Sequence, residues 1–146
     1  MKPEFISYLK TIGITTETLH NRIQAIYDFY QGVCPEEISD IFVTDYIKED
    51  GNREYENLWF FSPRTMMEAK GFVTKDDFDL TQVDKPPIYW GVQKQDYDFK
   101  KATDKSRLHL KFILEARISA DLKASKENCD TLRDIMLKYV APKVKR

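Results

Sequence analysis

The sequence predicts an α+β fold: two amphipathic helices, then about seven short antiparallel strands, then one amphipathic C-terminal helix. Three observations carry that reading. Apolar residues recur at helical spacing over residues 3–31, and again over residues 125–140. Between them, from residue 40 to about 123, the chain changes to short runs rich in Val, Ile, Thr, Phe, Tyr and Trp, separated by turn signals. With 146 residues, 42% apolar and 13% aromatic, the chain can bury a real core as one domain. Residues 1–35 then form a helical extension packed on the unit built by residues 36–146.

Phe5, Ile6 and Leu9 give the first helix its apolar side, and Gly13 breaks it. Thr15 or Thr16 is placed to cap the second helix, where Leu19, Ile23, Ile26 and Tyr30 line one side at i, i+4, i+7 and i+11. Gly32 and Pro35 are its stop signals. Asp40 to Ile47 is the first expected strand. Asp50-Gly51 supplies a hairpin turn, and Arg53 to Phe61 returns. After Ser62-Pro63-Arg64 comes a third strand, Thr65 to Phe72. Phe78, Leu80 and Val83 suggest a shorter fourth, Pro86-Pro87 interrupts pairing, and Ile88 to Gln93 resumes. Residues 95–105 read as a polar loop.

The sixth strand has the clearest pattern. Leu108, Leu110, Phe112 and Leu114 point one way, and Arg107, His109, Lys111 and Ile113 the other. After a bend near Glu115-Ala116, a seventh strand alternates Ile118, Ala120 and Leu122 against Arg117, Ser119, Asp121 and Lys123. Ser125 is the expected cap of the last helix, whose inward stripe is Cys129, Leu132, Met136, Tyr139 and Val140, with Pro142 as its end.

Charge and motif content exclude several functions. A net charge of −1 lacks the large positive field on which nucleic-acid and membrane-surface binders depend. The balance conceals a polarity, since residues 101–146 carry 12 basic and 6 acidic side chains. Cys34 and Cys129 stand 95 positions apart with no C-x-x-C pairing, which points to buried reduced thiols rather than a disulfide framework or a zinc site. Residues 1–13 hold Lys2, Glu4 and Lys10 and no unbroken apolar block, and no run of 18 apolar residues occurs. The expectation is a cytoplasmic protein with no membrane span. No Gly-rich phosphate loop and no G-x-S-x-G are present, and no cofactor is indicated. Asp76, Asp77 and Asp79 lack the glycine and glutamate of a calcium loop, and His20 and His109 are too isolated to pair on a metal.

The order of about seven antiparallel strands followed by one amphipathic helix, over residues 40–140, resembles the pleckstrin-homology-like barrel, in which two small sheets pack nearly at right angles and the last helix plugs one open end. That resemblance rests on element order, not on a motif. It implies a non-catalytic module that binds proteins, peptides or phosphoinositide head groups. In lipid-binding members the first hairpin carries a basic cluster, whereas here residues 36–56 hold eight acids against Lys48 and Arg53. Those acids repel a polyanion, so a protein or peptide partner is the expectation and phosphoinositide is not.

Two sets of candidate residues follow. The outward face of the last two strands gathers Arg107, His109, Lys111, Arg117 and Lys123 as an anion-binding or partner-binding surface; period-2 alternation places the first three on one side. The alternative is enzymatic. Glu68-Ala69-Lys70, preceded by Asp50 or Asp45, fits the Asp…Glu-x-Lys pattern of Mg²⁺-dependent nucleases, where the acids hold the metal and the lysine steadies the attacking water. Those enzymes place a helix after the pattern, where residues 72–87 here are rich in turns. Asn57 to Phe61 is apolar on both faces, which suits a central strand covered on both sides; left uncovered by the helices, Trp59 or Phe61 would form an exposed apolar patch for a partner, and Trp90 has the same two readings.

Overall fold

Proline lacks the amide hydrogen that the first helical turn leaves unused, and Pro3 accordingly opens α1 (Pro3–Thr11). Gly13 ends that helix at φ +93°, a left-handed conformation that L side chains avoid, and a Cβ there would lie 2.8 Å from the Tyr55 hydroxyl. Helix α2 (Glu17–Val33) has Thr16 at its N-cap position without a capping side-chain bond. It runs through Gly32 rather than stopping there. The residue before a proline is pushed out of helical geometry, and Cys34, before Pro35, is extended. These elements belong to a computed structural model that describes residues 1–82, 89–96, 106–113 and 119–140, with backbone alone for 77–82, 89, 94–96 and 106.

The strands are β1 (Asp40–Ile47), β2 (Arg53–Ser62), β3 (Thr65–Lys70), β4 (Asp77–Gln82), β5 (Tyr89–Asp96), β6 (Ser106–Ile113) and β7 (Ser119–Ser125). Helix α3 (Asn128–Ile135) continues into a π-helical turn over Met136–Val140. The third strand is shorter than the sequence suggests because Gly71 leaves β geometry, and its carbonyl accepts the amides of Thr74 and Lys75. Val83, Pro86-Pro87, Ile88, Leu114, the Glu115-Ala116 bend, Arg117, Ile118, Pro142 and most of the 95–105 loop lie outside the described residues.

Among the described residues the expected closed barrel is not formed. The strands make two separate antiparallel sheets, ordered β1-β2-β3-β4 and β5-β6-β7. The reason lies at the outer edge of β1, where a barrel would require a main-chain ladder to β7. There the Val43 amide donates to the Tyr8 hydroxyl at 3.0 Å, and the Val43 carbonyl accepts from Asn128 Nδ2 at 2.7 Å. Side chains from α1 and α3 thus take the hydrogen-bonding groups that a neighbouring strand would have used. Alternation along each strand reports which face is buried, and it carries no information about which edges pair.

The first sheet is covered on both faces. Ile41, Val43, Leu58, Phe60, Met67 and Ala69 pack against Phe5, Leu9, Ile23, Ile26 and Tyr30 of the two N-terminal helices. Phe42, Trp59, Phe61 and Met66 turn the other way, toward Leu110, Phe112 and Leu122 of the second sheet and Leu132, Tyr139 and Val140 of the C-terminal segment. Trp59 is core at 5% exposure, stacked on Phe61 and 6.4 Å from Phe112, while Trp90 is half-buried against the same cluster. No helix among the described residues is long and apolar enough to cross a membrane.

Candidate functional site

Where β1 approaches β7, a buried polar cluster joins parts of the chain that are far apart in sequence. Asp45, whose side chain has no solvent exposure, accepts from Arg53 Nε at 2.6 Å, from the Ser125 amide at 3.1 Å, from Asn128 Nδ2 at 2.7 Å and from the Ser125 hydroxyl. Asn128 Oδ1 accepts from the Tyr8 hydroxyl at 2.6 Å. Arg53 also donates to the Ser125 carbonyl and to Glu127. Burial works against the Arg53 charge, yet the hydrogen bond to Glu127 and the field of Asp45 outweigh it and raise its pKa. Burial likewise opposes the Glu127 charge, and the Arg53 bond overcomes it, holding that carboxyl below its usual range. Burial keeps the Tyr8 phenol protonated well above its ordinary range.

This cluster corrects the expected role of Ser125. Rather than capping the last helix, Ser125 is the buried end of β7, and α3 begins three residues later after Glu127 at the N-cap position. Asp45 is likewise committed to Arg53, Ser125 and Asn128. No local spacing in the sequence signals these contacts, because the partners of Asp45 on β7 and α3 lie 80 and 83 positions away.

Beside the cluster, the face singled out from the sequence forms a cleft of about 260 Å³. Arg107 and His109 on β6 and Lys123 on β7 line it, with Gln93 from β5 and Asp45 and Tyr46 from β1. Registration explains the convergence: Gln93 lies opposite His109, and His109 opposite Lys123, so one row crosses three strands. Arg107, two residues before His109, shares that face and is anchored by Nη2 to the Ile47 carbonyl at 3.1 Å. His109 Nε2 lies 2.9 Å from Asp121 Oδ1. Lys111 stands opposite Asp121 with its ammonium 4.0 Å from that carboxylate, and it does not line the cleft. Arg117 lies outside the described residues.

A second depression of about 480 Å³ adjoins this cleft through Arg107 and Leu108. Val92, Leu108, Cys129 and Met136 give it an apolar lining, with Lys126, Asp130 and Arg133 around them. Arg133 pairs with Asp130 at 3.1 Å. Burial pushes the Cys129 thiol up to about 11, aided by the fields of Asp45 and Asp130, so at neutral pH it is a protonated packing group rather than a nucleophile.

The residues of the nuclease pattern are divided. Glu68 and Lys70 line an open hollow of about 740 Å³ together with Glu54, Glu56, Lys75 and Asp121. Asp50 is elsewhere, in the β1–β2 hairpin, where its carboxylate accepts from the Asn52 amide at 2.9 Å and from Asn52 Nδ2 at 3.2 Å. A strand, β4, occupies residues 77–82 where the nuclease arrangement places a helix. No group of three or more His, Cys, Asp or Glu side chains suited to a metal ion occurs among the described residues. His20 meets the Ile14 carbonyl at 2.6 Å, and Asp76 pairs with Arg22 at 2.8 Å.

Fold and surface together define an α+β protein of two stacked antiparallel sheets with a basic cleft at one end. Compared with family models, with curated proteins and with solved structures, the chain matches none of them.

Proposed function

We propose that this chain is a non-catalytic interaction module that takes up a segment of a protein partner where β6, β7 and α3 meet. The observation that carries the reading is the junction at Arg107 of two depressions of different chemistry, one basic and one apolar. A segment crossing that junction can place a polar group beside Arg107, His109 and Lys123, and an apolar side chain against Val92, Leu108 and Met136. Binding surfaces of this kind combine an apolar anchor with a polar rim.

Peptides selected from a random library on the immobilised protein test the proposal. Val92→Glu and Lys126→Glu change exposed positions beside the apolar depression and leave the core intact. The selected peptides are expected to lose at least about ten-fold in affinity for each variant, the equivalent of one desolvated contact. Equal affinity for both variants and the unaltered chain would overturn the reading.

A further inference from the structure

We infer that the basic cleft recognises a single phosphate monoester, the phosphorylated side chain of a peptide, an inference that rests on the segment-binding reading above. Arg107, His109 and Lys123 converge on one cavity from two adjacent strands, and Gln93 adds an amide donor from a third. A phosphate monoester presents three terminal oxygens and close to two negative charges, so it can engage donors from three directions, whereas a carboxylate offers two oxygens in one plane. Two acids stand close. Asp45 also lines the cleft but is held by Arg53, Ser125 and Asn128, and Asp121 lies against Lys111 as well as His109, so the imidazole can exchange that carboxylate for the phosphate.

The surroundings select one phosphate over a series of them. The cleft measures about 260 Å³, and the depression sharing Arg107 on its hairpin side is lined by Glu49 and Asp50 beside Lys48. A polyphosphorylated head group or a nucleic-acid backbone would bring further phosphates against those carboxylates. On the other side of Arg107 the apolar depression offers a place for a neighbouring side chain of the same segment. A peptide satisfies both constraints.

The test is an NMR titration of the full chain with O-phosphoserine, serine, inorganic phosphate and a soluble inositol trisphosphate. Saturable shifts of the His109 ring and of the Lys123 and Ala124 amides are expected with O-phosphoserine and inorganic phosphate and not with serine. Affinity is expected to fall about ten-fold in Lys123→Ala and in His109→Gln, matching the loss of one charge-assisted hydrogen bond, and to hold in Lys111→Ala. Absence of saturable shifts, an equal loss in Lys111→Ala, or tighter binding of the inositol trisphosphate would each overturn the inference. Library peptides that depend on Val92 and Lys126 while O-phosphoserine moves nothing would leave the segment-binding reading standing and remove the phosphate. Shifts with O-phosphoserine, but no peptide sensitive to those two positions, would leave a phosphate site in the cleft and overturn both the segment-binding reading and the peptide as carrier of the phosphate.

Discussion

Asp45 carries a larger share of the structure than its place in an acid-rich stretch suggests. Four donors close on a carboxylate that water cannot reach, so removing it takes the buried counter-charge from Arg53 Nε and leaves the Ser125 amide and hydroxyl without their acceptor. Asp45→Ala is expected to cost about 3–5 kcal/mol, as for a broken buried ion pair. Asp50→Ala, five positions on and exposed, should stay within about 0.5 kcal/mol. Urea midpoints of the two variants check the contrast. Three protonated groups set the alkaline limit: burial raises Cys129 from 9.0 to about 11, and burial raises Tyr8 and Tyr139 above their ordinary 10.0, with an Asp40 hydrogen bond adding to the effect at Tyr139. A raised pKa contributes stability that is complete below the unfolded value and is lost as pH climbs through the folded one. The melting temperature should therefore hold up to about pH 9 and decline toward pH 11 and beyond. A flat profile across that window would contradict the burial of these groups.

Among the elements, the connection from β7 to α3 holds a residue in left-handed geometry. Lys126 adopts φ +53°, which a residue with a Cβ reaches only at a cost, and it is exposed. Lys126→Gly is accordingly expected to be neutral or to stabilise by up to about 1 kcal/mol in thermal unfolding, because glycine removes the strain while loosening the unfolded chain. Gly13→Ala should do the opposite, costing upwards of about 1 kcal/mol, since the added methyl meets the Tyr55 hydroxyl in a left-handed turn. Strand positions were legible wherever local alternation decides them. Leu110 and Phe112 are buried and Lys111 exposed, as their spacing in β6 implies, and Ala120 and Leu122 repeat the pattern in β7. Ser125 was misread because a serine before a helical stripe has the same local signature whether it caps the helix or ends a buried strand; the deciding partner, Asp45, lies 80 residues upstream.

For the molecule as a whole, structure and sequence pattern part at closure. Element order resembles a barrel, yet whether two edge strands pair depends on what else reaches their amides and carbonyls, and here Tyr8 and Asn128 hold those of Val43. The basic row at Arg107, His109 and Lys123 was foreseeable from alternation, whereas its neighbour against α3 depends on Cys129 and Met136 lining one depression with Val92 and Leu108. The N-terminal helices cover one face of the first sheet: among the described residues, Leu58, Phe60, Met67 and Ala69 pack in one cluster with α1, α2 and the adjoining loops. Residues 36–146 expressed alone are expected to show no cooperative transition and to aggregate, as a chain with that apolar face uncovered would; a sharp two-state melt of the fragment would show the helices to be dispensable. Finally, Trp59 lies between the layers, touching Phe61 on its own strand and Phe112 across the gap. Its indole is therefore a built-in optical gauge. With Trp90 replaced by Phe, emission should be blue and should redden when the sheets part, distinguishing their separation from fraying of the helices on the far side.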